Sequence, residues 1–268
     1  MTRVAVLGAG TIGEALLAGL LRAGRAPDDL VFTERYAERA AELEARHGVR
    51  AVTPIEAAAH ADVLFVAVKP QDVDALLGEL AGIDPTTLVV SLCAGLPTTT
   101  FEGQLPAGTP VVRVMPNAPM VVGQAMSALS PGRAATEAHL DLAEELMSAV
   151  GRVVRVPESQ QDAVTALSGS GPAYFYLVVE ALVDAGVMLG LSRAVATELA
   201  TQSALGASTV LRETGTHPVL LREGVSSPGG TTAAGVRALE DHGVRAAMYA
   251  AVEAARDRSV QLGAPSKS

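Results

Sequence analysis

The sequence predicts two halves of different architecture: an α/β half built on a doubly wound parallel sheet, followed by an all-helical half. Three observations carry this. Up to Pro157, short apolar runs rich in β-branched residues alternate with longer stretches of helical period, which is the pattern of parallel strands joined by crossover helices. Nearly every position of those short runs is apolar, as required where helices cover both faces of a sheet. Beyond Pro157 the alternation stops, and long Ala- and Leu-rich helical stretches follow one another.

In order, the strands are expected over residues 3–8, 30–33, 63–68, 88–92 and 111–115. Helices fall between them over 12–23, 37–47 and 71–80, with a short one around 99–105. A helix over 135–149 and a strand over 152–156 complete the first domain, residues 1–157. The second domain, 158–268, carries helices over 160–167, 173–189, 192–213, 231–241 and 244–262, and a frayed tail over 263–268. Residues 173–189 place apolar side chains on nearly every face, among them Tyr174, Phe175, Leu177, Val178, Leu182 and Val183. A helix apolar all round needs more partners than one small domain offers, so this half is expected to pair with a second subunit.

With 268 residues, 49% hydrophobic and 18% charged, the chain has the composition of two well-packed domains. A net charge of −9, with basic residues scattered rather than striped, argues against nucleic acid as a partner. Cys93 is the only cysteine, which excludes an internal disulfide, leaves no thiol set for zinc and fits a reducing cytoplasm. The five histidines never stand at metal-binding spacing, so no metal is expected. The first strand follows the N-terminus without a secretory leader, and no apolar run reaches the roughly 18 residues of a membrane span. A soluble cytoplasmic protein without a membrane partner is the expectation.

Gly8-Ala9-Gly10-Thr11-Ile12-Gly13 matches G-x-G-x-x-G between a strand and a helix. Gly8 permits a tight turn, Gly10 lets backbone approach a pyrophosphate, Gly13 allows close helix–strand packing, and the helix start offers free N–H groups to the anion. This is a Rossmann-type dinucleotide signature; the plainer reading is a glycine turn serving packing alone. Glu34 closes the second strand near the position where an acidic residue accepts from a ribose 2′-hydroxyl, and Arg35 follows it, suited to a 2′-phosphate. The two give opposite signals about NADH and NADPH. Ala67-Val68-Lys69-Pro70 ends the third strand at the sheet's carboxyl edge, where Lys69 is one of two lysines, the other being Lys267. Cys93-Ala94-Gly95 and Met115-Pro116-Asn117 end later strands at the same edge, the first suited to backbone approach, the second offering the Asn117 amide. Cys93 itself reads as a small buried residue rather than a nucleophile.

Two glycine-rich turns interrupt the helical half. Ser168-Gly169-Ser170-Gly171-Pro172-Ala173-Tyr174 has the grammar of a helix end and restart. Ser226-Ser227-Pro228-Gly229-Gly230-Thr231-Thr232 supplies hydroxyls, permissive glycines and the unpaired N–H groups of a helix start, all suited to a carboxylate.

Together these motifs resemble the pyrroline-5-carboxylate reductase family, in the family's order and over about residues 3–262. The resemblance implies an α/β cofactor domain and a helical domain interlocked with that of a second subunit, NADPH or NADH as hydride donor, and L-proline as product. It places cofactor contacts on Leu7, Gly8, Ala9, Gly10, Thr11 and Ile12, around Glu34 and Arg35, on Ala67, Val68, Lys69 and Pro70, and on Cys93, Ala94 and Gly95. Substrate contacts fall on Ser227, Gly230, Thr231 and Thr232, with the Thr232 hydroxyl suited to the ring nitrogen. Two positions depart from the family: Pro54 stands where many members have an asparagine, and Glu34 where members favouring NADPH carry a small or basic residue. A hydroxyacid dehydrogenase of similar build is the rival enzyme; such enzymes generally use a lysine or histidine to protonate the forming alkoxide, and the absence of a lysine from the helical half before Lys267 counts against it. A dinucleotide-binding dimer without turnover is the rival from outside enzymology.

Overall fold

A computed structural model of the chain describes residues 2–263. Its strands are β1 (Val4–Leu7), β2 (Leu30–Thr33), β3 (Arg50–Ala51), β4 (Val63–Val66), β5 (Leu88–Ser91), β6 (Val111–Met115), β7 (Ala125–Pro131) and β8 (Gly151–Arg155). They form one sheet in the order β3-β2-β1-β4-β5-β6-β7-β8, parallel throughout except where β7 runs antiparallel to β6. Helices α1 (Thr11–Arg22), α2 (Ala37–His47), α3 (Pro54–His60), α4 (Val73–Glu79), α5 (Thr98–Glu102) and α6 (Glu137–Ser148) accompany the sheet.

Alternation along the strands divides the core into two layers. On one face Val4, Val6, Phe32, Phe65, Val90 and Val114 pack with Leu16, Leu17 and Leu20 of α1 and with Leu140 and Met147 of α6. On the other, Ala5, Leu7, Val31, Leu64, Val66 and Val89 pack with Ala57 of α3, Leu76 and Leu77 of α4, and Phe101 of α5. The doubly wound architecture is therefore present, with both faces covered as the apolar strands require.

Three elements of the α/β half are absent from the sequence-based expectation. Strand β7 is built from Ala125, Met126, Ser127, Ala128, Leu129, Ser130 and Pro131, small and polar residues with little β-propensity. It forms because it fills the slot between β6 and β8, and its antiparallel direction follows from the short connection out of β6. The two-residue β3 offers no periodicity to read. Helix α3 had a legible signature: Thr53 accepts from the Glu56 N–H, and the Glu56 carboxylate accepts from the Thr53 N–H at 2.8 Å. This reciprocal capping box marks a helix start.

After β8 come α7 (Gln161–Val164), a π-helical turn (Thr165–Gly169), α8 (Gly171–Met188), α9 (Arg193–Thr214), α10 (Pro218–Gly224), α11 (Thr231–Asp241) and α12 (Val244–Gly263). Helix α10 also went unread, although Pro218 stands at its first position behind His217, whose ring accepts from the Val219 N–H. Strands end at Arg155, but compactness divides the chain elsewhere. One unit comprises the chain up to Ser170 and again from Ala255; the other is Gly171–Ala254. Within the first unit, Ser259 on α12 donates to Asp162 on α7 at 2.7 Å. Of the tail over 263–268, all but Gly263 lies outside the described residues.

In the second unit, α8 and α9 pack through Val183, Ala196 and Ala200, and at Gly186 an added Cβ would stand 3.0 Å from that of Ala196. Much else that is apolar stays uncovered in one copy: Phe175 and Tyr176 are each 64% exposed, Leu182 54% and Met188 88%. Within the helical stretch Glu158–Met188, a window of 18 residues has a mean hydropathy of 1.2, which matches a membrane span by length and composition alone, a property that core helices of soluble proteins share.

Candidate active site

Register places the site. Leu7 of β1 lies level with Thr33 of β2 and with Val66 of β4, and Val66 lies level with Ser91 of β5. The chain therefore leaves all four strands at one edge, at the point where strand order reverses about β1, which is where ligands of open α/β sheets collect. A cleft of about 1070 Å³ opens there.

Gly8, Ala9, Gly10 and Thr11 line its floor, and Glu34, Arg35, Ala67, Val68 and Lys69 its walls. The glycines do what the motif requires. Gly8 has φ +97°, a conformation that L side chains rarely adopt, and its N–H donates to the Thr33 hydroxyl at 3.0 Å. A Cβ at Gly13 would stand 2.1 Å from the Gly8 carbonyl oxygen, so only glycine lets α1 approach β1 so closely. At Gly10 a Cβ would meet nothing within 4 Å, so the backbone there faces open space. The first α1 hydrogen bond into this loop runs from Glu14 N to Gly10 O at 2.8 Å, and Gly10 caps the helix without a side chain. The N–H groups of Thr11, Ile12 and Gly13 thus precede the helical ladder and point toward an anion site. This arrangement fits a pyrophosphate.

Among the other residues read from sequence, Leu7 is fully buried in the sheet, and Ile12 packs against the core. Pro70 opens the turn after Lys69. Cys93, Ala94 and Gly95 follow β5 at the same edge without lining the cleft. Burial pushes the Cys93 thiol up to about 11, and Sγ donates to the Val66 and Val68 carbonyls at 3.5 and 3.4 Å; it is an inert packing residue. Asn117 holds structure together: Nδ2 donates to the Ser168 carbonyl at 3.1 Å, and Oδ1 accepts from Met126 N at 2.9 Å. It ties the end of β6 to the start of β7 and to the π-helical turn.

The cleft also contains charges that strand-end logic did not single out. Glu14, one turn into α1, joins Arg39, accepts from Arg46 at 2.6 Å and lies 3.3 Å from His47 Nε2. Burial raises its pKa, but hydrogen bonds from His47 and Arg46 and the charge of Arg39 outweigh that and hold it below the usual carboxylate range. Asp72 pairs with Arg35, and the Glu34 carboxylate accepts from Tyr36 N at 3.1 Å. Helical spacing would have aligned Arg39, Arg46 and Glu42 on α2, but their meeting with Glu14 depends on tertiary packing.

The Ser226–Thr232 turn lies in the second unit. Ser227 O accepts from Gly230 N at 3.0 Å, Gly229 has φ +68°, and a Cβ at Gly230 would strike Ser227 Oγ at 2.3 Å. Gly230 caps α11 without a side chain. Ser227 and Thr231 are exposed, and Thr232 is half-buried. Here too a helix start presents free N–H groups beside hydroxyls. No group of three or more metal-ligating side chains occurs among the described residues.

Over 98% of its length the chain is 48% identical to the pyrroline-5-carboxylate reductase of Corynebacterium melassecola, covering 99% of that protein. The chain belongs to the pyrroline-5-carboxylate reductase family. The family's Mycobacterium tuberculosis member is likewise 48% identical, with 98% of this chain and 97% of that one covered. Residues 158–262 match the family model described as pyrroline-5-carboxylate reductase dimerisation, and residues 3–95 match that described as NADP oxidoreductase, coenzyme F420-dependent. Among solved structures, a pyrroline-5-carboxylate reductase from Coxiella burnetii superposes with a TM-score of 0.93 at 33% identity, covering 98% of this chain and 99% of that one. The Plasmodium falciparum pyrroline carboxylate reductase with NADP bound gives 0.88 at 28% identity, with 98% of each chain covered.

Proposed function

We infer that this chain reduces 1-pyrroline-5-carboxylate to L-proline with NADPH or NADH, working in the cytoplasm as a dimer or a multiple of dimers. One observation carries the reading: the family-specific Ser226–Thr232 turn is intact at the start of α11, in a chain whose first unit carries a glycine-cornered cleft fit for a dinucleotide. A nicotinamide cofactor supplies the hydride that the imine carbon accepts. The N–H groups of Thr11–Gly13 and the Gly10 backbone hold its pyrophosphate, Glu34 and Arg35 address the adenosine ribose, and Lys69 contacts a hydroxyl or phosphate.

The substrate is a ring imine that becomes far more electrophilic once its nitrogen is protonated, so a strong protein acid is not required. The chain's work is positioning and the exclusion of water. Backbone N–H groups at Gly230, Thr231 and Thr232, with the Ser227 hydroxyl, bind the carboxylate. The Thr232 hydroxyl bonds the ring nitrogen as it becomes an amine. The scattered basic residues and net charge of −9 argue against nucleic acid or an anionic membrane surface as partner, and the uncovered apolar side chains of α8 support a second copy. The test is loss of nicotinamide absorbance with pyrroline-5-carboxylate against a panel of keto acids and other cyclic imines. Turnover confined to cyclic imines supports the reading; preferential turnover of a keto acid overturns it.

A further inference from the structure

At the corner of the cleft where β2 and β4 end, both arginines already have carboxylate partners. Arg35 Nη2 donates to Asp72 Oδ1 at 3.1 Å, joining the loop after β2 to the turn Pro70–Asp72 after β4. Arg39 is held by Glu14 and by Glu42. Glu34, between β2 and Arg35, has one carboxylate oxygen on the Tyr36 N–H. Asp72 occupies the position before α4, yet its side chain makes no capping hydrogen bond there. The bond its carboxylate makes is to Arg35, across the cleft that both residues line.

The two nicotinamide cofactors differ only at the adenosine 2′ position, as a hydroxyl or a phosphate. A hydroxyl needs an acceptor such as Glu34, whereas a phosphate needs an unneutralised guanidinium and suffers from any carboxylate close to it. We propose that Asp72 is a specificity-determining residue: by holding Arg35 it competes with a 2′-phosphate for that guanidinium and tilts the cleft toward the unphosphorylated cofactor. This rests on reading the cleft as a dinucleotide site. Asp72 works with Glu34 but through a separate group, since Glu34 speaks to the ribose and Asp72 to the cation beside it.

The expected size follows from exposure. Arg35 is 69% exposed and Asp72 36%, so their pair is weak and screened by salt. Removing the carboxylate should shift preference by about three- to fivefold, not by orders of magnitude.

The experiment is calorimetric titration of the whole protein with adenosine 2′,5′-bisphosphate and, separately, adenosine 5′-monophosphate. The proteins compared are wild type, Asp72→Asn, Asp72→Ser, and Asp72→Asn combined with Arg35→Gln, each first checked for an unchanged melting temperature. Either Asp72 substitution should tighten the bisphosphate by about three- to fivefold and leave the monophosphate unchanged. The gain should vanish in the double variant and shrink at high salt. An unchanged ratio of the two dissociation constants in both single variants overturns the proposal. So does a gain that survives loss of Arg35, which would make it an effect of net charge alone. If neither probe binds any of the four proteins, the dinucleotide reading of the cleft fails as well, an outcome distinct from binding without a shift.

Discussion

The two compact units solve the same problem in opposite ways. In the first, β1, β2, β4 and β5 are buried along their whole length, and helices close both faces, so one copy of the chain completes its own core. In the second, Val183, Ala196 and Ala200 form the small buried cluster between α8 and α9, while Phe175, Tyr176, Leu177 and Leu182 remain open. A set of helices that leaves large apolar side chains outside is half of a core. The match of residues 158–262 to a dimerisation model supplies the other half: a second copy of the same surface. The cofactor unit is thus autonomous in its packing, and the helical unit is not.

The sharpest way to break that comparison is to charge the open surface. Leu182→Glu should raise the dissociation constant of the dimer by about two to three orders of magnitude, because an unpaired carboxylate would be buried at the interface. Sedimentation at several concentrations, with activity assayed on the same samples, checks this. A variant that stays dimeric would remove α8 from the interface. The matching change in the closed core is Leu20→Ala, which should cost about 2–5 kcal/mol of stability through cavity formation. Denaturant unfolding should report that loss with the association constant unmoved.

Next in size is Thr232→Ala. A hydrogen bond lost with its partner left unpaired costs about 1–3 kcal/mol, so kcat/KM for pyrroline-5-carboxylate should fall by roughly one to two orders of magnitude, with the NADPH dissociation constant unchanged. A lower melting temperature with normal kinetics would make Thr232 a helix-start residue only. Smaller again is Glu34→Ser, expected to move the ratio of kcat/KM values toward NADPH; an unchanged ratio would take Glu34 off the ribose.

The smallest effect concerns acid. Glu14 titrates below its ordinary value of 4.5 in the folded chain, so its contribution to stability is complete above that pH and is lost as pH falls through the depressed folded value. Glu14→Gln should flatten the acid limb of the stability curve by about 1 kcal/mol or less, measured by unfolding between neutral and acid pH.

How legible each region was follows from the same contrast. Strands whose two faces are both buried announce themselves as apolar runs, so β1, β2, β4, β5 and β6 were readable nearly to the residue. Strand β7 was not, because Ser127, Ser130 and the alanines of its run owe their conformation to the neighbours they pair with rather than to their own preference. The glycine loop was legible because each glycine answers a local steric demand. The links between Arg35 and Asp72, and between Glu14 and Arg39, were not, since they join segments dozens of residues apart that only the sheet brings together. Asn117 illustrates the same limit: its position at a strand end suggested a ligand contact, and the fold uses its amide to secure β7 and the π-helical turn. The apolar excess of α8, by contrast, was visible in the sequence and pointed beyond the single chain.

The most direct test of the account is to supply NADH or NADPH carrying deuterium at the transferred position, together with pyrroline-5-carboxylate, and to analyse the product by mass spectrometry and chiral chromatography. The expected product is L-proline bearing one deuterium on carbon 5, the former imine carbon. Proline without deuterium, or no proline beside a deuterated hydroxyacid from a keto-acid competitor, would contradict it.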